Sequence, residues 1–208
     1  METVVLNLRE QKLYWSHIEA AAQALRNGEL VAFPTETVYG LGVHKDDEKA
    51  IERIYEVKKR HEEKRLTLMI ADPEDVNKYV DHLSNTAKRL IEVFWPGALA
   101  TIFPLKDGSD LGIRLPDNTA ARDLIRTAKA PVVTTSANIS GYPPATDAQQ
   151  VLTYLRDKIH IVLDGGPTRF RSPSTVVKVM DDTIEVVRHG IISESMIRSC
   201  LENNLVKV

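Results

Sequence analysis

Apolar positions along the chain fall into two rhythms. In SHIEAAAQALRNG they recur three and four apart, the spacing of one buried helix face. Ser16 with Glu19 has capping-box spacing at its start, and Gly28 can end it in a left-handed conformation. The short apolar run LVAF that follows predicts a strand. A second helix is expected from Asp46 or Asp47 through Ile51, Ile54 and Tyr55 to Lys58, and the charged segment KKRHEEKR then leads to a strand in LTLMIA. Asp72 before Pro73 marks a helix start for PEDVNKYV, and Ser84 opens another helix that WPG stops.

Beyond this point LATIF and LGIRL predict strands, Ala120 to Lys129 a helix and PVVTT a strand. The loop SANISGYPPAT precedes the helical AQQVLTYLRDK and the strand IHIVL. Two adjacent strands, STVVKV and TIEVV, join over Asp181 and Asp182, and a helix begins near Ser193. This alternation implies an α/β fold: a single domain over residues 1–208 with a twisted mixed sheet flanked by helices.

Composition narrows the function classes. The 208 residues are 43% hydrophobic and 27% charged, the make-up of a folded domain with a real core. A net charge of -2 argues against broad attraction to nucleic acid or an anionic membrane, so any anion site must be local. Cys200 is the one cysteine, which rules out an intrachain disulfide and fits a reducing compartment. The start METVVLNLREQKLYW carries no leader pattern, no apolar run approaches membrane-spanning length, and a cytoplasmic location is expected. The six histidines lack zinc-ligand spacing, and neither a G-x-x-x-x-G-K-[ST] loop nor a G-x-S-x-G elbow is present.

Candidate chemistry lies where strands end in polar loops, the favoured ligand position in α/β sheets. In FPTETVYGLG, Thr35 and Thr37 offer hydroxyls, against the plain alternative of a locally bonded turn; Glu36 reads as a solvated or N-capping carboxylate. In KKRHEEKR, Lys58 and Arg60 are either part of a solvated charged loop or aimed at a triphosphate. Single-stranded RNA is a third reading, weakened by the lack of interleaved aromatics. Ser136 and Asn138 in TTSANISG are a serine-rich turn or a phosphate cradle; no neighbouring His or Asp makes Ser136 a nucleophile. Arg114 in LGIRL and Arg188 at the end of TIEVVR must each reach the surface or meet an anion.

Taken in order, FPTETVYGLG, Lys58-x-Arg60, FWPGALATI, GIRLPD, Ser136-x-Asn138, LDGG, PSTVV and VVRHG resemble the YrdC/YciO-type family, which includes threonylcarbamoyl-AMP synthases. The resemblance spans about residues 19–192. It implies a YrdC-like fold with a concave, positively lined cavity and a reaction joining L-threonine, bicarbonate and ATP into threonylcarbamoyl-adenylate and pyrophosphate. That product serves the threonylcarbamoyl-transferase machinery acting on adenosine 37 of tRNA. By carry-over, Thr35, Arg114, Thr134 and Ser174 contact L-threonine, and Lys58, Arg60, Ser136, Asn138 and Arg188 hold ATP. Lys58 and Arg60 would bear the catalytic charge, with Mg2+ arriving on the nucleotide. The sequence departs from the family pattern at His61, Arg65, Ala98 and Pro144, and the YciO-like branch implies a rival reading as a protein that binds double-stranded RNA or tRNA, or the ribosome.

Overall fold

The computed structural model describes residues 1–181 and 183–202. Ten strands among them form one mixed sheet: β1 (Val4–Asn7), β2 (Val31–Phe33), β3 (Gly40–His44), β4 (Thr67–Met69), β5 (Leu99–Pro104), β6 (Asp110–Arg114), β7 (Val132–Ser136), β8 (Ile161–Asp164), β9 (Thr175–Met180) and β10 (Thr183–Arg188). Their spatial order is β1-β8-β2-β3-β7-β4-β6-β5-β9-β10. Six α-helices cover it: α1 (Tyr14–Arg26), α2 (Glu48–Lys58), α3 (Asn85–Phe94), α4 (Thr119–Ala128), α5 (Ala148–Leu155) and α6 (Glu194–Leu201).

Alternation along the central strands sorts side chains to two faces. Val31, Phe33 and Val132 pack with Ile18, Ala22 and Leu25 of α1 and with Leu124 and Ala128 of α4. Small alanines on both helices let them lie close together there. Ala32, Leu41, Val43 and Val133 face the other way, joining Ile54 of α2, Leu90 of α3, Leu155 of α5 and Ile197 of α6. The expected α/β sheet flanked by helices is what the chain forms.

Four expectations need correction. The helix expected at Ser16 begins earlier, at Tyr14. Ser16 Oγ donates to the Leu13 carbonyl at 2.7 Å, and Glu19 pairs with Arg26 at 2.6 Å. The extra turn is fastened by a tertiary bond, Tyr14 OH donating to Asp123 at 2.8 Å, in place of a local cap. PEDVNKYV forms a 3-10 helix over Pro73–Lys78 behind the Asp72–Asp75 capping box. The helix in AQQVLTYLRDK stops at Leu155, ahead of the positive φ of Asp157. Finally, β1 and β3 were not expected. The first is a four-residue edge strand held by parallel pairing to β8, and the second is glycine-rich. Asp182, in the turn expected between the last two strands, lies outside the described residues.

The helix starts at Asp47 and Ser84 are as expected: Asp47 accepts from the Ala50 N–H and Ser84 from the Ala87 N–H.

Candidate functional site: cations gathered around the FPTETVYGLG hairpin

FPTETVYGLG is a hairpin. β2 and β3 pair antiparallel, with Phe33 opposite Gly40 and Val31 opposite Gly42. A side chain at Gly42 would force its neighbours to shift, because its Cβ would lie 2.9 Å from the Phe33 ring and 3.0 Å from Val132. The glycines thus let Phe33 lie flat across the strand, and residues 34–39 are left as a buried six-residue loop. Within that loop Thr35 Oγ1 donates to the Val38 carbonyl at 2.6 Å and accepts from the Thr37 N–H at 3.2 Å. Both readings of this segment therefore bear on one structure: a locally bonded turn that also forms a wall.

Glu36 is neither solvated nor a helix cap, which corrects the sequence expectation. Its side chain is buried, and Oε1 accepts from Arg114 Nη2 at 2.6 Å. The arginine extends from the end of β6, donating also from Nη2 to Thr37 Oγ1 at 2.9 Å and from Nε to the Gly97 carbonyl at 3.1 Å. None of these bonds uses Nη1. Such a buried pair is costly unless each partner is further hydrogen-bonded, and here only Arg114 is.

Lys58, the last residue of α2, is 1% exposed, and its ammonium donates to the carbonyls of Ser136 and Asn138 at 2.5 Å each. Burial first, and then the nearby Arg60 guanidinium, bring its pKa down to about 7. Arg60 follows the left-handed Lys59 that ends the helix. It donates to the carbonyls of Lys64 at 3.0 Å and Arg65 at 3.2 Å, and Tyr55 OH also donates to Lys64 at 3.2 Å. KKRHEEKR is therefore folded back on itself by its own arginine. Arg65 fastens its far end to the Asp110 carbonyl at 2.7 Å.

Arg188 ends β10 and grips Ser174, donating to its carbonyl at 2.8 Å and to its Oγ at 3.0 Å. Its pKa is lowered by burial, then by the guanidiniums of Arg114 and Arg60. Yet solvent reaches its side chain. The close approach that sets Ser174 here needs Gly190, whose Cβ would fall 2.4 Å from the Ser174 carbonyl carbon.

The structure thus brings the expected residues together. Arg60 lies in electrostatic reach of Lys58, and Arg114 and Arg60 of Arg188, with Ser136, Asn138, Thr35 and Ser174 reached through the bonds above. Thr134 lies two residues before Ser136 on β7, and its hydroxyl donates to the Thr67 carbonyl at 3.2 Å. Asn138 is buried, its Nδ2 donating to the Tyr142 carbonyl at 2.7 Å while Oδ1 has no partner. Sequence reasoning missed the role of Glu36; the available signal was a carboxylate inside an otherwise apolar and hydroxyl-bearing stretch. It also passed over Thr168, which with Thr35 and Glu36 lines a cleft of about 510 Å³. A second cleft of about 560 Å³ lies away from these residues, between α1 and α4, lined by Trp15, Arg26 and Arg126.

A profile of the Sua5/YciO/YrdC family, described as telomere recombination, matches residues 23–190. The chain belongs to this family. Among Sua5/YciO/YrdC relatives, it is 38% identical to the threonylcarbamoyl-AMP synthase of Bacillus subtilis strain 168 over 194 residues, 88% of this chain and 56% of the relative. It is 37% identical to the threonylcarbamoyl-AMP synthase of Pyrococcus abyssi over 197 residues, 90% of this chain and 58% of that one. The chain thus spans somewhat over half the length of these curated relatives. The crystal structure of P. abyssi Sua5 complexed with L-threonine superposes with a TM-score of 0.86 at 34% identity, over 95% of this chain and 61% of that chain. The crystal structure of E. coli YciO gives 0.79 at 25% identity, over 91% of this chain and 96% of that chain. Among the described residues, no helix is long and apolar enough to cross a membrane.

Proposed function

We propose that this Sua5/YciO/YrdC-family chain is an ATP-dependent threonylcarbamoyl-AMP synthase. One observation carries the reading: cations from α2, the loop after it, β6 and β10 lie in electrostatic reach of one another, and the carboxylate of Glu36 is already committed to Arg114. Positive charge that is buried at Lys58 and Arg114 and reaches solvent at Arg188 calls for a polyanion. The names of the relatives, and the L-threonine held by P. abyssi Sua5, support ATP as the polyanion and L-threonine as its co-substrate.

In this reading the deprotonated amine of L-threonine adds to carbon dioxide drawn from bicarbonate and loses a proton. A carbamate oxygen then attacks the α-phosphorus of ATP, the bond to the bridging oxygen of the β-phosphate breaks, and pyrophosphate leaves with that electron pair. Two anions must meet, so positioning and charge stabilisation are the protein's contribution. Lys58 and Arg60 take the triphosphate, Ser136 and Asn138 line the phosphates, and Arg188 reaches the nucleotide. Arg114 takes the threonine carboxylate through Nη1, beside Thr35, Thr134 and Ser174. Magnesium would come with the nucleotide and would supply charge neutralisation at its phosphates. The adenylate then passes to machinery that modifies tRNA.

The rival reading, a double-stranded-RNA binder of the same fold without turnover, draws on the near full-length match to YciO. Against it, Lys58 and Arg114 are buried, where a duplex backbone could not meet them. Pyrophosphate release from ATP and magnesium, with and without L-threonine and bicarbonate, tests the choice. Release requiring both co-substrates and falling about a hundredfold in Arg60→Ala is expected for a lost charge clamp. Nucleotide binding without threonine-dependent release would overturn the proposal.

A further inference from the structure

The ion pair between Glu36 and Arg114 uses half of each partner. Glu36 Oε1 and Arg114 Nη2 share the 2.6 Å bond. Glu36 Oε2 is buried with no hydrogen-bond partner, and Glu36 is 3% exposed. A carboxylate oxygen left in that condition costs about 1–3 kcal/mol or more, so it requires a donor. The cationic partner of Glu36 is Arg114, on Oε1, and the described side chains of Lys58, Arg60 and Arg188 engage backbone carbonyls and Ser174 instead. Thr168 Oγ1, which lines the same cleft as Glu36 and Thr35, is a second buried oxygen without a partner. The backbone around these atoms is fixed: the Phe170 N–H donates to the Glu36 carbonyl at 2.9 Å, and the Thr168 N–H to the Thr146 carbonyl at 2.8 Å. What stands open is one acceptor on Glu36 and one donor, Nη1, on Arg114, joined through a common ion pair.

That complementarity is the outline of an α-amino acid, which offers an amine donor and a carboxylate acceptor on one carbon. We propose that Glu36 is the amine-recognising residue of the threonine pocket, Oε2 accepting the substrate N–H while Arg114 receives its carboxylate. The inference rests on the synthase reading above and extends it to the reason an amino acid, and not a hydroxy acid, is accepted. Because the nitrogen keeps one hydrogen after it becomes a carbamate, the same oxygen holds the intermediate in register. Glu36 is thus a positioning and specificity residue; the charge on the reacting phosphate is met elsewhere.

Calorimetric titration of the full chain with L-threonine and with 3-hydroxybutanoate, its deaminated counterpart, tests this. The wild-type protein is expected to bind threonine at least about tenfold more tightly, since a site built to accept a hydrogen bond rejects a ligand lacking the donor. In Glu36→Gln, threonine affinity should fall by about tenfold while 3-hydroxybutanoate affinity stays within about twofold, erasing the discrimination. An equal loss for both ligands would mean that Glu36 only steadies Arg114, and would overturn the proposal. So would equal wild-type affinity for the two ligands, a result that needs no variant to fold. Wild-type protein that binds neither ligand would instead sink the threonine reading itself.

Discussion

Lys58 shows how one residue can carry both a cost and a use. Its folded pKa, about 7, lies below the ordinary 10.5 because burial and then Arg60 disfavour the ammonium. The folded chain therefore binds this proton less readily than the unfolded chain between those two values. The stability contribution of Lys58 is fully present above about 10.5 and is lost as the pH falls through about 7. Unfolding stability followed against pH should show a rising component across that window, absent in Lys58→Met. A triphosphate reverses the preference, since it favours the charged form. ATP binding above pH 7 is then expected to take up close to one proton, seen as a dependence of the calorimetric enthalpy on buffer ionisation, and affinity should weaken as the pH rises. Lys58→Met should bind ATP more weakly and without that uptake.

At the scale of elements, α2 and the β2–β3 hairpin set the site. α2 starts at Asp47, whose side chain caps the Ala50 N–H at 3.0 Å, and it delivers Lys58 at its far end. Asp47→Ala is expected to cost about 1 kcal/mol in chemical denaturation, the usual loss on removing such a cap. Arg53 from the middle of α2 bonds the Gly28 carbonyl, tying the helix to the end of α1. The hairpin depends on Gly42. Gly42→Ala places a methyl group 2.9 Å from Phe33 and should destabilise by about 1–3 kcal/mol. Because Thr35 and Glu36 ride on the same hairpin, threonine binding should weaken in the surviving folded fraction. A denaturation midpoint unchanged from wild type would show that Phe33 moves aside freely.

For the whole molecule, one sheet joins every part of the candidate site. Arg114 at the end of β6, Ser136 at the end of β7 and Arg188 at the end of β10 belong to strands far apart in sequence and separated in the sheet order. The folded sheet nonetheless leaves Arg188 in electrostatic reach of Arg114. Ligands that bridge these strands should then stabilise the folded state as a unit. ATP with magnesium at about a hundred times its dissociation constant is expected to add about 2.7 kcal/mol. A thermal scan should show that gain as a single shifted transition; an unshifted transition at saturating nucleotide would argue that ATP does not select the fold.

Much of this was legible in the sequence, for local reasons. Helices α2, α3 and α4 follow from apolar spacing, and the caps at Asp47 and Ser84 from residues that bond their own helix. The strands LATIF and PVVTT are apolar enough to declare themselves. The candidate site residues were legible as polar groups where strands end. β3 was not, because Gly40 and Gly42 read locally as a turn, and only the ring of Phe33 across the hairpin explains them. The start of α1 was misplaced because Tyr14 is fastened by Asp123, more than a hundred residues away in the chain. Glu36 was misread for the same reason: nothing near it in sequence supplies its partner.

The sequence by itself determined the alternating elements, the two-faced sheet and the list of residues able to meet an anion, since each depends on periodicity or side-chain chemistry along the chain. Only the tertiary structure decided which charges are paired and which are open. Pairing depends on separation in space and on exclusion of water, and Arg114 meets Glu36, and Lys58 the Ser136 carbonyl, only after the sheet has formed.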